Sequence, residues 1–593
     1  LDLLSRSEIL TRDQQPAFVH PLVRDAVYDE LPAAERALQH ERAARVLRER
    51  GATPEQVAVH LLRAPCRGSA DTVALLRSAA ATAVSRGASD AASALLRRAL
   101  EEPVAAPERP GVLVELGRVE THVDGPSGVA HLTAAYAALQ DPRERALLAM
   151  DIARTHVFVS PPGVATSFAR AAVDALPDDL DDERQGLVAL QRVTGYMHAL
   201  PPDSYRAGPP PEVSGDGDGA RMLAATLSYE LLLEGRDREG AVRLARFSLE
   251  GDRLLEVDNG LLWIVAANVL LLADDDLGDF WDRALARAHA TGGLFSALSV
   301  NLWRGFAQWR GGQLDDALQS LADAVEQQRV WGLSPVTSTY AAAFTLGVLT
   351  DRGDLDAAAA SLDEARALPW VGEGGRLVRE AAARLLLEQG RPAQALDLLA
   401  APVDHPQVDN PVWAPWRGLT ARALAGLGRV DEALALARDE VVSLRRWGAP
   451  TGLGPSLRLL GELRGDAGLP ELREAVDVLD GTCAVLERAR AQLALGRRAP
   501  VGDDEAVPLL QAALSTARAC GASGAARDAV SALARRGVSA AAADDTTTGA
   551  TSRVRRVAEL AAHGLDVNAI AQRLFLTPGT VRSLLQSAQE PMP

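Results

Sequence analysis

The sequence contains no lysine; all 62 of its basic residues are arginine. A GxxxxGK[ST] phosphate loop is therefore impossible in this chain. Cysteine is nearly absent. Cys66, Cys483 and Cys520 are scattered, follow no metal-ligand spacing, and read as free thiols of a reducing cytoplasm, where the protein is expected to reside. Aromatic residues make up only 4% of the chain, which argues against sheets. The longest apolar run, "LLWIVAANVLLLA" from Leu261, ends in acids. It is far short of the roughly 20 residues that a bilayer requires, so no membrane association is expected. No GxSxG, HExxH or paired CxxC occurs, and the acids sit at turn-adjacent positions on helical faces. The chain is expected to be no enzyme, with no catalytic residue, no metal site and no cofactor of its own. No signal peptide precedes the apolar run, and the chain begins with Leu1, so an upstream portion is expected to be missing.

What is present is abundant Ala, Leu and Arg, a mixture that favours close-packed helices and suggests a GC-rich, bacterial genome. At 593 residues the chain is too long for one core. Its net charge of −17 confines any nucleic-acid-binding part to a local exception. Helical periodicity is punctuated by Gly-centred turns with a shared signature: "GQLDDALQSLADAVE" at Gly312, "GDLDAAAASLDEARAL" at Gly353, "GRPAQALDLLA" at Gly390, "GRVDEALALARDEV" at Gly428, "GLPELREAVDVLD" at Gly468 and "GDDEAVPLLQAAL" at Gly502. The spacings are 41, 37, 38, 40 and 34 residues, with weaker copies at Gly87 and Gly235. One helical hairpin cannot bury its apolar face alone, so such copies stack into an α-solenoid. The expected fold is all-α: a solenoid of hairpins resembling tetratricopeptide repeats over 67–536, interrupted by an exposed loop at 200–220, then a flexible linker at 537–552 and a small helical domain at 553–593.

Aromatic residues cluster in one stretch: Trp263, Phe280, Trp281, Phe295, Trp303, Phe306, Trp309 and Trp331. Trp303, Phe306 and Trp309 share a helical face. On a concave solenoid surface they would form an effector pocket; in a packed one, they fill gaps between helices.

The stretch "RVRRVAELAAHGLDVNAIAQRLFLTPGTVRSLLQ" parses into three short helices. Val557, Leu560 and Ala561 share one face of the first, and Ile570, Ala571 and Leu574 one face of the second. Thr577 caps the third ahead of Pro578. Val581, Leu584 and Leu585 then turn inward and leave Thr580, Arg582, Ser583 and Gln586 outward. From residue 551 onward five Arg face three acids, a net charge of +2 in an acidic chain. This pattern is a helix-turn-helix. The segment resembles the C-terminal DNA-binding domain of LuxR-type regulators, and "FVHPLVRDAVY" from Phe18 resembles the segment that closes the NTPase module of the large ATP-binding members, here over residues 1–66.

The resemblance implies a transcription regulator whose helical-repeat region senses an effector and self-associates, with double-stranded DNA as partner. Arg582, Ser583 and Gln586 would face bases, with Thr577, Thr580, Arg573, Arg555 and Arg556 at the DNA backbone or its edge. ATP would enter only through an upstream NTPase module, where His20 would touch nucleotide; otherwise His20 is structural. The segment departs from the family pattern at Val554, Ala569, Leu584 and Gln586, and the pairing helix of the family is expected to be missing after "QEPMP". The alternative is a helical-repeat interaction scaffold whose tail no longer touches DNA. Operator, effector, target genes and oligomeric state are not legible in the sequence.

Overall fold

A left-handed residue between two helices turns the chain back on itself, and glycine adopts that conformation without a Cβ penalty. Gly312, Gly353, Gly390 and Gly428 hold φ between +69° and +83° and close hairpins at the expected places. Gly468 does not: its φ is −95°, and Gly465, at +63°, makes the turn three residues earlier, at the start of the 3-10 segment Gly465–Gly468.

The computed structural model describes residues 9–11, 17–102, 108–206, 208–258, 260–400, 408–500 and 503–538, together with 557, 560, 561, 566, 567, 570, 581, 582, 585 and 586. Gly502 and the 539–552 part of the expected linker lie outside the described residues. Among the described residues the elements are helical, apart from one isolated antiparallel bridge between Leu10 and Phe18. No described helix is long and apolar enough to cross a membrane. Two compact units are present, one running to Ile152 and including Ala288–Gly293, the other comprising Ala153–Arg287 and the chain from Leu294. The division falls inside the stretch read from sequence as one solenoid.

The first unit holds α1 (Pro21–Glu30), α2 (Ala33–Glu49), α3 (Pro54–Leu61), α4 (Ala70–Ser85), α5 (Ser89–Glu101), α6 (Arg109–Thr121), α7 (Gly125–Tyr136) and most of α8 (Pro142–Val159). Leu76, Ala79, Ala92, Leu96, Val112 and Leu116 form its core. Glu120 is fully buried there and accepts hydrogen bonds from Arg97 Nε (2.7 Å) and Ser93 Oγ (3.3 Å), with His131 Nδ1 at 2.6 Å. His20 is exposed at the start of α1, and its side chain makes no cap bond there.

In the second unit the helices alternate between an inner and an outer row. After the end of α8, the inner members are α10 (Asp181–Met197), α11 (Asp218–Glu234), α14 (Leu262–Leu272), α16 (Leu294–Arg310), α18 (Thr339–Arg352), α20 (Gly372–Glu388), α22 (Trp416–Gly426), α24 (Pro450–Leu463), α26 (Val485–Arg498) and α28 (Ser523–Arg535). The outer ones are α9 (Val164–Asp174), α12 (Arg238–Leu249) with the short α13 (Arg253–Val257), α15 (Phe280–Thr291) as far as Arg287, α17 (Leu314–Trp331), α19 (Leu355–Ala365), α21 (Pro392–Leu399), α23 (Val430–Trp447), α25 (Leu469–Leu479) and α27 (Ala506–Ala519). Inner helices such as α11 and α20 are buried along most of their length, whereas α19 and α21 bury a single stripe.

Between α10 and α11 no outer helix forms. The Pro- and Gly-rich connection takes that place, and it is not freely exposed. Tyr205 is buried against Gly195, where a Cβ would strike its ring, and Gln185 fixes Ser214 through both its oxygen and its nitrogen.

The inner row winds tightly. The end of an inner helix meets the start of the inner helix five places further on in four pairs. Phe158 O, ending α8, accepts from Ser334 N (2.8 Å) ahead of α18. Leu233 O, ending α11, accepts from Asn410 N (3.1 Å), and Leu232 O accepts from Asn410 Nδ2 (2.8 Å), ahead of α22. Leu272 O, ending α14, accepts from Trp447 Nε1 (2.9 Å), and Asp274 accepts from Thr451 N (2.8 Å) in α24. Arg352 O, ending α18, accepts from Ser523 Oγ (2.7 Å) in α28. The carbonyls left over at these helix ends thus find donors one winding away.

One outer acid is poised to make stability depend on pH. Glu440 in α23 is 3% exposed, accepts from Gly418 N (2.5 Å) and Ser456 Oγ (2.6 Å), and is pushed by burial up to about 7. A raised acid pKa means that the folded chain holds the proton more tightly. Stability therefore falls as pH rises from the ordinary value of 4.5 through about 7. Glu440→Gln should be more stable than the parent by about 2 kcal/mol at pH 8, after allowing for one weakened hydrogen bond. Urea midpoints of the two proteins should converge near pH 5; a constant difference across that range would contradict the assignment.

Candidate functional site

The inner helices meet around a small cavity. Its volume, measured as space open to the centre of a water molecule, is about 50 Å³, room for three or four waters. Apolar side chains such as Ile264, Leu298 and Leu302 line most of it, with the rings of Tyr229, Trp303, Tyr340 and Trp413 on the remaining wall. Tyr229, Asn268, Trp303, Tyr340, Glu373 and Trp413 stand 33 to 40 residues apart. Successive repeats therefore each bring a polar or aromatic side chain to the same central space.

Among the described residues the lining carries one charged group, Glu373, at the first turn of α20. It is 2% exposed and accepts hydrogen bonds from Tyr229 Oη (2.5 Å), Trp413 Nε1 (2.7 Å) and Tyr340 Oη (2.7 Å). Burial, and after it the charge of Glu373, raises the hydroxyls of Tyr229 and Tyr340 well above the ordinary tyrosine range, so both remain neutral donors. Arg376, one turn along, gives Nη1 to both oxygens of Glu380 (2.8 and 2.9 Å) and to Trp413 O (3.2 Å). Burial opposes its charge, but Glu380, Tyr196 and Glu373 outweigh burial and hold it protonated. Two further polar groups of the lining, Asn268 Oδ1 and Gln328 Nε2, are buried without any hydrogen-bond partner among the described residues.

Of the three rings proposed as an effector pocket, Trp303 lines this cavity, 5.8 Å from the Tyr340 ring and 6.2 Å from that of Trp413. Phe306 is buried instead, stacked on Phe344 at 4.7 Å. Trp309 turns aside and donates Nε1 to Asp351 (2.7 Å). The three do not line a common open groove. Trp263, Phe280, Phe295 and Trp331 are core residues.

In the tail, Val557, Leu560, Ile570 and Val581 are buried in one small core, with Ala561, Val567 and Leu585 packed against it. Asp566 O accepts from Ile570 N (2.9 Å), and Arg582 and Gln586 are exposed. Thr577, Thr580, Ser583, Arg573, Arg555 and Arg556 lie outside the described residues.

These features define an all-α helical-repeat protein. No family model matches the chain, and no curated protein matches it. Among solved structures it is similar to the APC/C hetero-tetramer Cut9–Hcn1, with 13% identity over 86% of this chain and 95% of that one, at a TM-score of 0.42. It is also similar to yeast Tom70, with 12% identity over 79% and 96% of the two chains, at a TM-score of 0.27. Likeness this distant carries no functional argument.

Proposed function

We propose that the chain is the helical-repeat and DNA-binding portion of a cytoplasmic transcription regulator of LuxR type. The observation that carries this reading is the partition of the tail. Apolar residues from three sequence stretches share one core, while Arg582 and Gln586, two of the side chains assigned to base edges, are exposed. On this reading the repeats sense an effector and self-associate, the tail binds double-stranded DNA, and the chain is a regulator rather than an enzyme.

Few cations face the groove, so binding should be weak and its dependence on salt shallow. The log–log salt slope should be on the order of three or four. Arg582→Ala should cost roughly 1–3 kcal/mol at the preferred site if the guanidinium reads a guanine. Fluorescence anisotropy of labelled duplexes at low salt measures both. Absence of binding by the full chain at low salt would remove this reading and leave the second one, an interaction scaffold. The helical-repeat body and its half-buried outer faces are equally suited to that role.

A further inference from the structure

The central cavity combines features that a merely packed interior would avoid. A buried carboxylate that accepts its hydrogen bonds from neutral donors is costly. Glu373 accepts hydrogen bonds from two hydroxyls and an indole, whereas Arg376, whose charge it helps to hold, gives its Nη1 to Glu380 and to Trp413 O. Asn268 Oδ1 and Gln328 Nε2 add an acceptor and a donor, 4% and 5% exposed as residues, that no described residue satisfies. Such groups are uncommon in folded proteins and mark a missing partner. The ring faces of Tyr229, Trp303, Tyr340 and Trp413 in the same wall attract positive charge.

We propose that this cavity binds a small organic ammonium ion carrying one hydrogen-bond acceptor, with a short apolar body. The ammonium group donates to the remaining lone pair of Glu373 and to Asn268 Oδ1. The acceptor, a hydroxyl or carbonyl oxygen, takes the free hydrogen of Gln328 Nε2. The aliphatic side chains enclose the body. Anions are disfavoured by Glu373, and neutral molecules form no ion pair with it. The small volume limits the occupant to a few heavy atoms unless neighbouring repeats part. The site does not depend on whether the tail binds DNA, and its test contains no DNA.

Three near-isosteric probes separate the contributions: 1-amino-2-propanol, 2-butanol with methyl in place of the ammonium, and isobutylamine with methyl in place of the hydroxyl. Isothermal titration of the full chain near pH 7.5 should show 1-amino-2-propanol binding about tenfold or more tighter than 2-butanol, with isobutylamine between them. Glu373→Gln should bring 1-amino-2-propanol and 2-butanol to within about twofold of each other. If that variant fails to fold by circular dichroism, Asn268→Leu decides, because it removes an acceptor and fills space; it should weaken the amino alcohol about tenfold. Equal binding of all three probes, no binding at millimolar concentration, or an unaltered amine preference in the variant that folds would overturn the proposal, leaving a cavity that holds water only.

Discussion

Trp447→Ala should cost the second unit about 3–5 kcal/mol, the range for removing a large buried aromatic side chain. The damage should appear in two windings at once. Trp447 is 1% exposed at the end of α23, and its indole Nε1 donates to Leu272 O, a residue 175 positions away at the end of α14. Next to it, Thr451 holds both oxygens of Asp274, whose backbone sits at a φ of +53°. In an array whose repeats touch only their neighbours, an internal deletion loosens the adjacent repeats and little else. Here the deletion also releases the carbonyl end of α14, five inner helices upstream. Hydrogen exchange should therefore lose protection in α14 as well as in α23, and Trp447→Phe, which keeps most of the packing, should lose roughly 1–3 kcal/mol for the orphaned carbonyl. If α14 keeps its protection in Trp447→Ala, the winding contributes nothing to cooperativity.

This winding is the part of the fold that the sequence conceals. The hairpins are legible because their signals are local. A glycine closes each turn at 312, 353, 390 and 428, and apolar residues recur at helical spacing around it. The contacts between windings join residues 139 to 179 positions apart, such as Asp351 with Arg490 and Phe158 with Thr337, through single side chains that leave no period. The cavity shares that obscurity. Trp303 belongs to an obvious aromatic cluster, but Tyr229, Tyr340, Glu373 and Trp413 each lie alone in their own repeat, and only their recurrence at about one repeat length connects them. Composition also misleads at 200–217. Pro and Gly announce a loop, and a loop it is, yet Tyr205 is buried because the segment occupies the place of an outer helix. In the tail Val557, Leu560, Ala561, Ile570, Val581 and Leu585, read as interior from helical spacing, share one core, while Ala571, Leu574 and Leu584 of the same reading lie outside the described residues.

Asp351→Ala should destabilise the same unit by about 3–5 kcal/mol, the cost of removing one member of a buried ionic cluster. Asp351 is 7% exposed at the end of α18 and gathers donors from three other inner helices: Trp309 Nε1 of α16 at 2.7 Å, Arg384 Nη2 of α20 at 2.8 Å and Arg490 Nη2 of α26 at 2.7 Å. Arg490 also bonds Glu487 at 2.5 Å, and Arg458 approaches Glu487 at 3.7 Å. Without Asp351, Arg384 and Arg490 share Glu487 alone, and the Trp309 indole loses its acceptor. Asp351→Asn keeps an oxygen for Trp309, so the difference between the two variants isolates packing and the indole bond from charge. Acid should unmask the same cluster. Burial pushes Glu487 upward, but Arg490, Arg458 and Arg384 outweigh it and hold the carboxyl at about 2, below its ordinary 4.5; Arg384 and Arg490 likewise depress Asp351 against its own burial. A depressed acid contributes stability that is fully present above the unfolded value and is lost as pH falls through the folded one. The parent should therefore weaken between about pH 4.5 and pH 2. Asp351→Ala should weaken less steeply there, because one of the two titrating acids is gone. Urea midpoints measured at intervals across that window check both statements. Parallel curves for parent and variant would mean that Asp351 acts through shape and hydrogen bonding rather than through its charge.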